Sequence, residues 1–231
     1  MRDAITRVGP HEERVPFGDG HLIRNRRGFR PCPWAFELAR FAPIRSTDRV
    51  LDLGCGGGIL LCAVGQVHGE TTLRVGVEFD RAAADQARRN LAADPFGPTG
   101  VLRADVRSLP LRPQFQVVVS NPPFYPAGWG RQSAHSATAA ATHALHGDVN
   151  HFMAAAAAAL TPGGQVVVVY DAGQLPHLLL AMADAKLTPR RLRFLDDDRG
   201  KPARALILAG RDGAGLTVER QRFAPNEGGT P

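Results

Sequence analysis

The sequence predicts an α/β fold: a mostly parallel, seven-stranded sheet with helices on both faces and an antiparallel C-terminal strand, preceded by a short basic extension. Three observations predict it. Apolar strands alternate with helical segments from Asp48 onward. Val50-Leu-Asp-Leu-Gly-Cys-Gly-Gly-Gly-Ile-Leu60 reads as strand, glycine turn and helix. Asp52, Glu78, Asp105 and Asn121 fall at or just past strand ends, and a parallel sheet gathers such residues on one rim.

The first 45 residues are the extension. Arg14, Arg24, Arg26, Arg27 and Arg30 crowd around Gly18, Gly20 and Gly28, which reads as a loop-rich lead-in. Trp34-Ala-Phe-Glu-Leu-Ala-Arg-Phe41, after Pro33, spaces apolar residues for a short helix. Residues 46–222 form the main domain. Its strands are expected at Val50–Leu53, Val75–Glu78, Val101–Arg103, Phe115–Ser120 and Val166–Tyr170. Helices are expected at Gly58–Val67, Arg81–Ala92, Val149–Leu160 and Leu175–Ala185. Thr161-Pro-Gly-Gly164 should stop a helix and turn the chain. Arg190–Leu195, Ala203–Ala209 and Leu216–Arg222 read as antiparallel strands, and residues 223–231 as a disordered tail.

The glycine run carries the first functional signal. Gly54 and Gly56 fit a Gly-x-Gly-x-x-Gly dinucleotide fingerprint, but its third glycine would fall on Ile59, which is too large for the close contact glycine serves there. The order Asp52-x-Gly54-x-Gly56-x-Gly58 instead resembles the first motif of class I S-adenosylmethionine-dependent methyltransferases. Glu78, at the end of the second strand, suits a ribose, because carboxylate oxygens accept what hydroxyls donate. Asp80 is assigned to capping the next helix. In Asn121-Pro-Pro-Phe124 the prolines stiffen the loop. The Asn121 side-chain oxygen and the Pro122 carbonyl could draw both N–H bonds of an exocyclic amine to one side. The nitrogen lone pair would then face a methyl donor, with Phe124 stacking the base.

Together these segments resemble the bacterial tRNA (adenine-N6) methyltransferases with a methyltransferase-small catalytic domain. The likeness runs from Gly28-Phe-Arg30 through Val50–Leu60, Val75–Asp80, Ala104–Asp105, Asn121–Tyr125 and Leu160–Gly164 to Gly200-Lys-Pro-Ala-Arg-Ala205. The resemblance implies a class I methyltransferase fold and S-adenosylmethionine as cofactor. It implies cofactor contacts at Asp52, Gly54, Cys55, Gly56, Gly58, Glu78, Phe79, Asp105, Val106 and Asn121, and a catalytic corner at Asn121, Pro122, Pro123 and Phe124. It departs at Trp34, where the family has aspartate, and in Ala141-Thr-His-Ala144, where the family often has Ala-Arg-His-Glu and His143 is kept but the arginine and the glutamate are not.

A net charge of +6, almost all arginine, favours an RNA partner, expected to be tRNA, with Arg24, Arg26, Arg27 and Arg30 as phosphate contacts. Alternative targets are a glutamine amide of a release factor and guanine N2 of ribosomal RNA; a non-catalytic RNA-binding scaffold is the non-enzymatic alternative. His143, His146 and His151 are too loosely spaced for a metal site, and methyl transfer from a sulfonium needs no metal. Cys32, Cys55 and Cys62 read as free thiols of a reducing cytoplasm. No apolar run spans a membrane, and a monomer is expected.

Overall fold

The computed structural model describes residues 8–26, 34–109, 112–123, 147–213 and 215–223. Among them, β1 (Glu12–Phe17) and β2 (Gly20–Asn25) pair antiparallel, with Glu12 opposite Asn25 and Phe17 opposite Gly20. The basic lead-in is therefore a hairpin over these residues and not a loop. It closes at Gly18-Asp19, where Gly18 takes φ +54°, a conformation that glycine adopts without steric cost. Phe17 and Leu22 turn inward and join the core. After the hairpin come α1 (Ala35–Phe41), β3 (Arg49–Leu53), α2 (Ile59–His68), β4 (Leu73–Glu78), α3 (Arg81–Ala92), β5 (Thr99–Arg103) and β6 (Phe115–Ser120). Then follow α4 (Val149–Ala159), β7 (Leu160–Asp171), α5 (Leu175–Asp184), β8 (Thr188–Asp196), β9 (Pro202–Gly210) and β10 (Thr217–Arg222).

The main sheet has eight strands in the order β10-β8-β9-β7-β6-β3-β4-β5. Only β9 runs against its neighbours β7 and β8; the other pairings are parallel. The eighth strand is β10, and it runs parallel to β8 where the sequence suggested an antiparallel arrangement. The reason is topological. Both flanks of β9 are already taken, so the short link after Gly210 carries the reversed chain past β8 to the open edge. Glu219 secures that edge by pairing with Arg191 and Arg193 of β8, and the two guanidiniums hold its carboxyl down at about 2.

Burial on both faces explains the continuous apolar strands. Val118, Val166 and Val168 pack towards α4 and α5, against Phe152, Met153, Leu178 and Met182. Val117, Val119, Val167 and Val169 pack on the other face towards α1 and α2, with Leu38, Phe41, Leu61 and Val64. The helix α4 ends at Ala159, as Thr161-Pro-Gly-Gly164 predicts, but the segment itself is not a free turn. It is a bulge inside β7, because Phe115 pairs with Leu160 and the next pair is Val117 with Gln165. A buried arginine fixes β4 between its helices: the Arg74 guanidinium donates to both carboxylate oxygens of Asp94 and to the carbonyls of Leu61 and Phe96.

Trp34, the position that departs from the family pattern, packs on Phe223 just beyond β10, with ring centroids 3.8 Å apart, and lies under the Arg204 guanidinium. Among the described residues no helix is long and apolar enough to cross a membrane.

Candidate active site

The site is built where β3, β4 and β6 end. Leu53 is in register with Val77 on one side and Ser120 on the other. The next residues, Gly54, Glu78 and Asn121, therefore leave three adjacent strands side by side, each about 4.8 Å from the next. The Ser120 hydroxyl donates to the Leu53 carbonyl at 2.8 Å and locks β6 to β3 at that level.

The glycine loop is anchored to β4. The amides of Gly54 and Cys55 both donate to the Val77 carbonyl, at 2.9 and 3.0 Å. The Gly56 amide donates to Glu78 Oε2 at 2.8 Å, and the Asp80 amide donates to Glu78 Oε1 at 2.8 Å. Each oxygen thus accepts one backbone hydrogen bond and keeps a second lone pair for a hydroxyl. Gly54, Gly56 and Gly58 have φ of +73°, +51° and +81°, all in the left-handed region. They are not equivalent. A Cβ on Gly54 would lie 2.9 Å from the Phe152 ring, whereas one on Gly56 meets no atom within 4 Å. Among the described residues, Gly56 therefore has room beside it, as a ligand cradle requires.

Asp52 lies beneath this loop, 1% exposed. Its Oδ2 has no hydrogen-bond partner among the described residues. Burial, reinforced by the nearby Glu78 charge, pushes its carboxyl well above the usual range. A buried acid with an unsatisfied oxygen under an open glycine cradle fits a ligand that brings a positive charge or donors. Cys55 does not share that role through its thiol. Its Sγ points into the sheet against Gly76, where a Cβ would lie 2.5 Å away, and burial keeps the thiol protonated. Only its backbone borders the loop.

Asp80 caps α3, accepting from the Ala83 amide at 2.8 Å, as the sequence suggested. Phe79, 36% exposed, stands beside Glu78, and Val106 is buried past the end of β5. The Asp105 carboxylate, expected to receive an adenine amino group, is clasped by Arg107: the guanidinium donates to both oxygens and the Arg107 amide adds a further bond. This contact raises the Arg107 pKa. Any base amine at Asp105 shares a carboxylate that is already neutralised.

At the end of β6, Asn121 is half-buried, Pro122 buried and Pro123 half-buried. Phe124, Arg27, Arg30, His143, His146 and Cys32 lie outside the described residues. Arg24 on β2 is paired with Glu13 at 2.7 Å, and Arg26 donates from Nε to the Glu12 carbonyl. His151 closes a capping box with Asp148 at the start of α4, which gives it a structural role.

Sequence reasoning missed Phe152, Gln86 and Asn90 around the loop. A carboxamide pair four residues apart on an otherwise Ala- and Arg-rich helix was the available signal.

The comparisons with known proteins agree with this architecture. Residues 38–185 match the family model of the methyltransferase small domain. A tRNA1(Val) (adenine(37)-N6)-methyltransferase from Aeromonas salmonicida is 32% identical over 197 residues, covering 84% of this chain and 82% of that protein. The protein of the same name from Tolumonas auensis is 30% identical, covering 83% and 80%. Among solved structures, a predicted O-methyltransferase from Agrobacterium tumefaciens superposes with a TM-score of 0.61 at 19% identity, covering 81% of this chain and 85% of its own.

Proposed function

The chain belongs to the methyltransferase small domain family and is an S-adenosylmethionine-dependent methyltransferase, and we propose that it methylates the exocyclic N6 of an adenine in tRNA. The observation that carries this reading is the shared rim: the glycine cradle and the Asn-Pro corner leave adjacent strands from the paired residues Leu53 and Ser120. S-adenosylmethionine supplies an electrophilic methyl group on a sulfonium. In this reading Gly54, Gly56 and Gly58 let the backbone approach the cofactor, Glu78 accepts from its ribose, and Asp52 faces its positive end. Phe79, Asp105 and Val106 line the side where its adenine lies.

Asn121 and Pro122 do the work on the substrate. The lone pair of an adenine amine is delocalised into the ring. Two acceptors on one side of the amine hold both hydrogens and direct the lone pair to the opposite side. No base has to be charged in advance, so rate comes from orientation in a site prepared before the substrate arrives. Phe124 would receive a base splayed from its stack. The charge of +6 draws the RNA backbone, with Arg24, Arg26, Arg27 and Arg30 as proposed contacts. Arg24 would have to exchange Glu13 for phosphate.

The relatives named above carry adenine 37 of tRNA1(Val) in their names, which makes that tRNA the first substrate to try. The test is incubation with labelled S-adenosylmethionine and total tRNA, followed by digestion to nucleosides. Labelled N6-methyladenosine is expected; label in methylguanosine, or transfer only to release-factor protein, overturns the reading.

A further inference from the structure

Besides Phe17 and Leu22, three carboxamides hold the β1–β2 hairpin to the helices. Gln66 of α2 donates to the Phe17 carbonyl and accepts from the Asp19 amide, both at 3.1 Å. Gln86 of α3 donates to the Ile23 carbonyl at 2.7 Å. Asn90, one turn further along α3, accepts from the Ile23 amide at 2.8 Å and donates back to the Ile23 carbonyl at 3.0 Å. It grips Ile23 as a neighbouring strand would.

Asn90 has one more hydrogen to give, and it goes to the glycine loop: Nδ2 donates to the Gly57 carbonyl at 2.8 Å. The side chain is 2% exposed, and both of its N–H groups are engaged. Gly57 is pressed against the same helix, since a Cβ there would lie 2.5 Å from Gln86 Nε2. The preceding amide, that of Gly56, is held from the opposite side by Glu78. The Gly56-Gly57 segment is therefore fixed from the sheet by a carboxylate and from α3 by a carboxamide.

We propose that Asn90 is a positioning residue for cofactor binding: it holds the Gly57 carbonyl so that the cradle keeps its shape without cofactor, and it couples that shape to the hairpin. The inference rests on the glycine loop being the S-adenosylmethionine site. Coupling of this kind is reciprocal, so cofactor binding also steadies the hairpin at Ile23.

The experiment compares wild type, Asn90→Ala and Gln66→Ala. Gln66→Ala is the control, because it loosens the hairpin without touching Gly57. Thermal melts, cofactor Kd by calorimetry and kcat at saturating cofactor are read for each. Asn90→Ala is expected to raise Kd about tenfold or more, as loss of a buried hydrogen bond at the loop requires, with kcat within about threefold. Gln66→Ala is expected to lower the melting temperature by less than Asn90→Ala and leave Kd within about threefold. An unchanged Kd in Asn90→Ala, or equal rises in both variants, overturns the proposal. Failure of the wild type to bind cofactor overturns instead the reading of the loop. Should Asn90→Ala not fold, amide exchange on the wild type decides: added S-adenosylmethionine must slow exchange at the Ile23 amide, and an unaltered rate overturns the coupling.

Discussion

The Glu78 carboxylate accepts the Gly56 backbone N–H at 2.8 Å, so the residue that suits a ribose also shapes the glycine cradle. Its second oxygen holds the Asp80 amide, which starts α3. Glutamine at position 78 offers one carbonyl oxygen for two amides. Glu78→Gln is expected to weaken cofactor binding about tenfold to a hundredfold, as expected for losing a hydrogen bond to a charged group. Calorimetry with S-adenosylmethionine checks this; an unchanged Kd would remove Glu78 from the site.

The loop glycines separate stability from binding. Gly54→Ala brings strain at φ +73° and a Cβ 2.9 Å from the Phe152 ring, and should cost about 2–5 kcal/mol. Gly56→Ala meets no neighbour among the described residues and should cost only the backbone strain, about 1–2 kcal/mol. Its methyl, however, projects into the cradle. Melts should show Gly54→Ala as the less stable variant, while calorimetry shows cofactor binding lost in the still-folded Gly56→Ala.

Asp52 makes the cofactor-free protein sensitive to pH. Its carboxyl is raised above the ordinary 3.8 by burial and by Glu78. The folded state thus holds a proton that the unfolded chain gives up. Its stabilising effect is full below about pH 4 and is lost as pH rises towards the raised value, at up to ~1.4 kcal/mol per pH unit. Asp52→Asn cannot titrate. Between pH 4 and 8 the wild type should lose stability relative to this variant, and parallel melting curves would show that Asp52 is ionised in both states.

Asp94→Ala leaves the fully buried Arg74 guanidinium with only the Leu61 and Phe96 carbonyls. Removing one partner of a buried pair should cost about 3–5 kcal/mol in denaturant unfolding. The loss should appear with cofactor absent as well as present, since neither residue lines the cradle.

Much of this was legible in the sequence because local pattern and tertiary environment agree. Phe115–Ser120 and Arg81–Ala92 occur as read: the first is apolar on both faces, and the second carries its own cap at Asp80. The hairpin was not legible. Its arginines and glycines look like a loop, Pro16 argues against a strand, and its partners Gln66, Gln86 and Asn90 lie 47 to 67 residues away. The direction of β10 was hidden for another reason: it depends on which sheet edge is open, and no residue within Thr217–Arg222 encodes that. At the site, Glu78 and Asn121 stand where adjacent strands end, and Asp52 lies in β3 just beneath the glycine loop. The pairing of Asp105 with Arg107, two residues away, could not be told from a ligand contact by spacing alone.

The most direct measurement is Asn121→Ala, assayed side by side for turnover on tRNA and for S-adenosylmethionine binding. If the cradle and the Asn-Pro corner divide the work, kcat falls by about a hundredfold or more while Kd for the cofactor stays within about threefold. Turnover close to wild type, or a loss of cofactor binding that tracks the loss of turnover, would contradict that division.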